Sequence, residues 1–256
     1  MKVIIIRKKR VITVFAIITA LILIIFSTMY ILSGSVLKVS NSKKKLPIYS
    51  VDRNDKKIAL TFDSTWGEEN TKQILDILDK YEIKATFFLI GKWIDEFNDD
   101  AKEIYLRGHE IGNHSNKHKD FVNLTRETLI SEIADCDAKI ASITGEKPKL
   151  LRVPNGSYND FALSVIEDTH HYCIQWDVDS LDWKNLGSDK AFKKVVSKTK
   201  SGSIILFHNG AKDTPVALEN SIIEMKKEGY EFVTISQLIY KNNYKISDEG
   251  KQISIK

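Results

Sequence analysis

The sequence predicts a parallel α/β domain carried behind one membrane-spanning helix. Three observations predict it. The chain opens with a long apolar run free of charge, short apolar runs then alternate with segments of helical period, and the residues able to do chemistry fall just after those short runs.

Residues 11–37 carry no charged side chain. At about 1.5 Å of rise per residue, such a run exceeds a hydrocarbon core of about 30 Å, which predicts a transmembrane anchor over residues 11–33. A cleaved signal peptide is the alternative, because Ser33-Gly34-Ser35 would admit cleavage. The apolar core of a signal peptide is usually about 7–15 residues, however, and the longer run favours an uncleaved anchor. Arg7, Lys8, Lys9 and Arg10 precede the span and place residues 1–10 on the cytoplasmic side by the positive-inside rule. The remainder is then extracytoplasmic, attached to the cell membrane by a single pass. Lys38, Lys43, Lys44 and Lys45 follow in a polar stretch over 34–55 that reads as a solvated linker, or as a contact with anionic lipid or an anionic wall polymer.

Of the 256 residues, about 200 remain behind the anchor, enough for one domain with a substantial core and too few for a second catalytic domain. The net charge of +4 is spread without a basic and aromatic stripe, which argues against nucleic acid as a partner. Cys136 and Cys173 lie in no CxxC or zinc-type cluster. Both read as small buried hydrophobes, with a disulfide between them left open.

Within the domain, at 56–241, candidate strands are 57–62, 84–90, 109–112, 149–152, 172–177, 203–207 and 230–234. Between the first two, Ile74, Leu75, Ile77, Leu78 and Tyr81 form one apolar helical face, with Asn70 or Thr71 as N-cap. Leu129, Ile133, Cys136, Ile140 and Ile143 form a longer stripe that stops at Gly145. Strands that alternate with helices predict parallel pairing, since parallel neighbours need crossovers that helices supply. A barrel and an open sheet both satisfy the pattern. Residues 242–256 read as a polar, frayed tail.

Asp63, the pair His114 and His118, Arg152, the pair Asp179 and Asp182, and His208 all follow predicted strands. In α/β barrels and sheets that edge hosts the active site. Two imidazoles four residues apart can face one divalent cation, but a catalytic zinc site usually takes three protein ligands, so another must come from elsewhere. A carboxylate leaving a buried strand, as Asp63 does, suits a general base, with a helix cap or structural ion pair as the plainer reading. Arg152 opens a turn through Pro154, Asn155 and Gly156 whose backbone amides could hold an oxyanion. His208 suits a general acid oriented by Asp179 or Asp182. Trp176 and Trp183 beside those aspartates serve equally as core or as sugar-stacking faces. His109, His170 and His171 receive no role.

The order of these blocks resembles the polysaccharide deacetylase family, carbohydrate esterase family 4. The blocks are Thr61-Phe62-Asp63, the run from Gly108 to His118, the run from Arg152 to Asn159, Asp179-Ser180-Leu181-Asp182-Trp183, and Leu206-Phe207-His208. The resemblance covers about residues 55–240. It implies a distorted seven-stranded parallel (β/α) barrel and metal-dependent hydrolysis of acetamide or acetyl ester groups on glycans, commonly with zinc, with cobalt or another divalent cation as alternatives. By the same resemblance Asp63 is the base, His114 and His118 are metal ligands, and Arg152 tunes the base. The amide of Asn155 is the oxyanion donor, His208 the acid tuned by Asp182, and Trp183 and Leu206 line the acetyl pocket. With the anchor, this implies a cell-wall substrate: N-acetylglucosamine or N-acetylmuramic acid of peptidoglycan.

One departure stands out. The family's first block usually carries a second aspartate as third metal ligand, whereas this chain reads Asp63-Ser64-Thr65-Trp66-Gly67. Ser64 is a poor ligand because its hydroxyl stays neutral, so metal binding is expected to weaken. The continuation is similar to a sporulation-associated branch that also lacks the second aspartate. The alternative function is therefore a weakened or inactive glycan-binding protein of cell-wall or spore-envelope assembly.

Overall fold

A computed structural model describes residues 8–36 and 44–255, in two compact units, Met1–Lys44 and Lys45–Lys256. In the first, helix α1 (Lys8–Val36) contains the stretch Ile12–Tyr30, long and apolar enough to cross a membrane. Thr19 and Thr28 return their hydroxyls to the carbonyls of Phe15 and Ile24, so neither leaves a polar group unpaired on an apolar surface. Arg7, Lys38 and Lys43 lie outside the described residues, as do the side chains of Lys8, Lys9, Arg10 and the Ser33-Gly34-Ser35 step.

The second unit runs β1 (Ser50–Val51), β2 (Lys57–Ser64), α2 (Thr71–Lys80), β3 (Thr86–Leu89), α3 (Gly91–Glu96), α4 (Asn98–Leu106), β4 (Glu110–Asn113) and α5 (Arg126–Thr144). It continues through β5 (Leu150–Leu151), α6 (Asp160–Asp168), β6 (Tyr172–Cys173), β7 (Val178–Asp179), α7 (Ser188–Lys198), β8 (Ile204–His208) and α8 (Thr214–Lys227). Last come β9 (Glu231–Phe232), α9 (Ile235–Leu238), β10 (Tyr244–Ile246) and β11 (Lys251–Ser254). Seven strands pair in the order β6-β5-β4-β3-β2-β8-β7, all parallel, with β9 joined to the start of β2. The sheet curls into the distorted parallel barrel that the sequence motifs imply, left open between β6 and β7.

Strand alternation sorts the side chains of β2. Ile58, Leu60 and Phe62 pack outward against Ile74 and Leu78 of α2 and Leu218 and Ile222 of α8, with Phe62 stacked on Phe87 at 4.7 Å. Ala59 belongs instead to a second cluster with Phe88, Ile174, Ile204 and Leu238. Asp63 shares the parity of Ala59, so the periodicity that buries the outer aromatics also turns this carboxylate inward. The α5 stripe ends as expected at Gly145, left-handed at φ 84°. Asn70 occupies the N-cap of α2, but its amide donates to Ala211 O at 3.0 Å instead of capping the helix.

Three expectations are corrected. The run 172–177 is strand only at its start: β6 ends at Cys173 and pairs with β5, whereas β7, which begins beyond the run at Val178, pairs with β8 on the opposite edge of the sheet. The intervening residues cross the opening, where Ile174 bridges to Ile48 and Gln175 N–H donates to Ile48 O at 2.7 Å. The run of Tyr172, Cys173, Ile174 and Trp176 hid the break, because Ile174 is buried in the crossover as it would be in a strand. The linker expected over 34–55 is partly core, since Ile48, Ser50 and Val51 are buried. The tail expected to fray carries β10 and β11, which form a small sheet with β1. Gln252 is fully buried there, its amide bonded in both directions to the backbone of Tyr240, a pairing that polar composition does not advertise.

Candidate active site

The carboxyl ends of the barrel strands bring the reactive side chains to one rim. Asp63 and His208 are register partners across β2 and β8. They line a cavity of ≈ 470 Å³ together with His114, His118, Asn155, Trp176, Asp179, Trp183 and Leu206. Arg152, Asp182 and Ser64 are buried and form no part of its lining.

Asp63 Oδ1 accepts from the Arg152 guanidinium at 2.7 Å, and Arg152 is completely buried, 4.2 Å over the Phe88 ring. Burial alone would push the Asp63 carboxyl up. The positive charge of Arg152, with His114 and His208, outweighs that effect and holds it below its ordinary value. A second Arg152 nitrogen donates to Gln175 O at 3.1 Å, so the same group also ties the crossover between β6 and β7.

His114 Nδ1 lies 2.8 Å from Arg152 O, and a carbonyl only accepts, so Nδ1 carries the proton. Nε2 is then unprotonated and lies 3.5 Å from Asp63 Oδ2. The His118 ring stands edge-on at 5.0 Å. Burial depresses both imidazoles, His118 to about 4, so both are neutral donors at neutral pH. A bare nitrogen beside a carboxylate, with a second neutral imidazole at hand, fits a divalent cation whose remaining positions are filled by water. The fit stops at two nitrogens. Ser64 Oγ is buried without a partner, and no three His, Cys, Asp or Glu side chains converge on a metal position among the described residues.

Across the cavity, His208 Nδ1 meets Asp182 Oδ1 at 2.8 Å. Asp182 Oδ2 accepts from His208 N–H at 2.7 Å and from Thr214 Oγ1 at 2.6 Å. Burial alone would lower the His208 pKa, but the Asp182 bond and charge raise it, favouring the imidazolium. Asp179 does not reach this ring; it accepts from Leu181 N–H at 2.8 Å and shapes a turn in which Leu181 takes φ 58°. Between the two aspartates left open by sequence, the geometry selects Asp182. Asn155 sits in the left-handed region at φ 57°, ψ 11°, between Pro154 and Gly156.

Two contacts escape sequence reasoning. Trp66 stacks on His208 at 5.3 Å and 26°, and Gly210 makes room for it, since a Cβ there would fall 2.2 Å from Trp66 O. Thr214 orients Asp182 from the first turn of α8. Trp66 carried a faint signal as an indole just past a strand end, whereas nothing distinguished Thr214 from an ordinary helix start.

A carboxylate and a histidine whose pKa is raised, facing each other over a cavity beside two neutral imidazoles, define a site of the hydrolase class, able to take a proton on one side and return it on the other. A polysaccharide deacetylase family model matches residues 50–174. The chain is 36% identical over 196 residues to the peptidoglycan-N-acetylglucosamine deacetylase of Bacillus cereus, covering 75% of this chain and 92% of that protein. The chain belongs to the polysaccharide deacetylase family. It is also 33% identical to the uncharacterized protein YlxY of Bacillus subtilis, spanning 75% of this chain and 60% of the longer relative. Among solved structures, BA3943 of Bacillus anthracis, described as a CE4 family pseudoenzyme, superposes with a TM-score of 0.72 at 34% identity, covering 75% of this chain and 68% of that one. A BA3943 mutant described as having restored enzymatic activity superposes equally well, at 35% identity, over 75% and 70% of the two chains.

Proposed function

We propose that this protein removes N-acetyl groups from peptidoglycan, on N-acetylglucosamine or N-acetylmuramic acid, using a divalent cation held by His114 and His118. The observation that carries the proposal is the facing pair Asp63 and His208, each with a buried partner that sets its charge. A bound zinc or cobalt ion would polarise the acetyl carbonyl. Asp63 takes a proton from the attacking water, the Asn155 N–H donates to the developing oxyanion, and His208 protonates the departing amine, leaving acetate and a free amino sugar. Trp183 and Leu206 bound the pocket for the acetyl methyl. Helix α1 anchors the domain on the outer face of the cell membrane, where the glycan is found.

A second reading, a glycan-binding barrel without efficient turnover in wall or spore-envelope assembly, is favoured by the unpartnered Ser64 hydroxyl and by the likeness to a structure described as a pseudoenzyme. Purified protein incubated with N-acetylated peptidoglycan and zinc or cobalt separates the two. Acetate release supports the first reading. Retention on the glycan with no acetate released at any metal concentration supports the second.

A further inference from the structure

A buried polar chain lies behind the histidine pair, and the proposed reaction makes no use of it. Asn113, the last residue of β4, is fully buried. Its Oδ1 accepts from Ser115 N–H at 2.7 Å, and its Nδ2 donates to Ile133 O at 2.9 Å and to Asp137 Oδ1 at 2.7 Å. Asp137 Oδ1 also meets His171 Nε2 at 3.2 Å. At the far end, His171 Nδ1 lies 3.1 Å from Thr169 Oγ1, whose own proton goes to Ile166 O at 2.8 Å. Both ring nitrogens of His171 therefore face acceptors. The chain runs unbroken from α6 and the turn after it, through α5, to the backbone of the His114–His118 loop.

That loop needs holding. Ser115 and His118 both adopt left-handed backbone, at φ 70° and φ 56°, a strained conformation for non-glycine residues that persists only where the surroundings impose it. Ser115 is the pivot: its N–H is fixed by Asn113, and its Oγ accepts from His118 N–H at 2.9 Å. Three apolar residues in place of Asn113, Asp137 and His171 would pack at least as well by general precedent, but they would leave the Ser115 N–H without an acceptor in a buried setting. We infer that Asn113, Asp137 and His171 are positioning residues that set the spacing of His114 and His118, and through it the affinity of that pair for a divalent cation.

The inference rests on the proposed reading of the pair as cation ligands, so its test has two readouts. Cobalt(II) affinity is followed by visible absorbance, and hydrogen exchange by mass spectrometry of the peptide covering 113–118, both on the full chain in detergent. Asn113→Ala and Asp137→Ala are expected to weaken cobalt binding about 10- to 100-fold and to speed exchange in that peptide, with β2 and β8 peptides unchanged. Asp137→Asn, which keeps an acceptor for Asn113, is expected to restore most of both, and this conservative variant keeps the test open if Asp137→Ala fails to fold. Wild-type cobalt affinity and exchange in Asn113→Ala would overturn the inference, as would faster exchange spread evenly over all strands, the mark of a merely structural role. If the unaltered chain binds no cobalt, the ligand reading fails, and local exchange at 113–118 still decides whether these residues position the loop.

Discussion

Asp63 and His208 occupy equivalent places on adjacent strands yet are pushed toward opposite charge, because one is paired with a buried arginine and the other with a buried aspartate. Removing the proton acceptor in Asp63→Asn is expected to cut acetate release by about 10²- to 10⁴-fold, measured as acetate per enzyme at saturating zinc. In the proposed reaction His208 is the acid, so its protonated form is the active one. Its pKa is raised above the ordinary histidine value, so turnover holds below that raised value and declines as pH climbs through it. Thr214→Val removes one of the bonds fixing Asp182 and is expected to shift that alkaline limb toward lower pH in a pH–rate profile. Ser64→Asp places a carboxylate where the resemblance expects a third metal ligand; if the proposed reading holds, calorimetry is expected to show tighter zinc binding, and acetate release is expected to rise with it. Unchanged affinity would show that the carboxylate does not reach the cation. Strand-end position made Asp63, Arg152 and His208 legible in the sequence, since alternation alone dictates where such residues emerge. Trp66 and Thr214 were not legible as parts of the site, because their contacts come from loops and helix starts far away in the chain.

At the scale of elements, β4 begins beside His109, which is buried and accepts from Ala85 N–H through Nδ1 at 3.2 Å. Its pKa is pushed down to about 4, by burial first and by Lys84 second. A histidine depressed in the folded state binds its proton more readily when unfolded, so stability is complete above the ordinary value of 6.5 and drains away as pH falls toward about 4. The urea midpoint is expected to drop across that window, and less steeply in His109→Gln. Strands with strong alternation, such as β2, were legible; β6 was overextended and β7 was not seen, because each is only two residues long and Val178 is flanked by aspartates.

For the barrel domain as a whole, closure depends on residues that composition assigns to its margins. Gly202 takes φ 83°, and a Cβ there would fall 1.8 Å from the carbonyl oxygen of Val51 in β1. Gly202→Ala is expected to cost roughly 1–3 kcal/mol by overpacking alone, read as a lower Tm. The parallel α/β class was plain from the alternation of runs. The hairpin of β10 and β11 was hidden because what buries it is a glutamine satisfied by backbone, not an apolar stripe.

Arg152 serves two ends at once, bonding Asp63 with one nitrogen and the Gln175 carbonyl, at the seam of the barrel, with another. Selection on the fold alone therefore retains the group that keeps Asp63 ionised. A chain that had stopped turning over glycan would still keep a charged Asp63 aimed into the cavity, because the barrel would suffer from the loss of Arg152. An intact Asp63–Arg152 pair is therefore no evidence of turnover by itself, since the barrel's own stability calls for it.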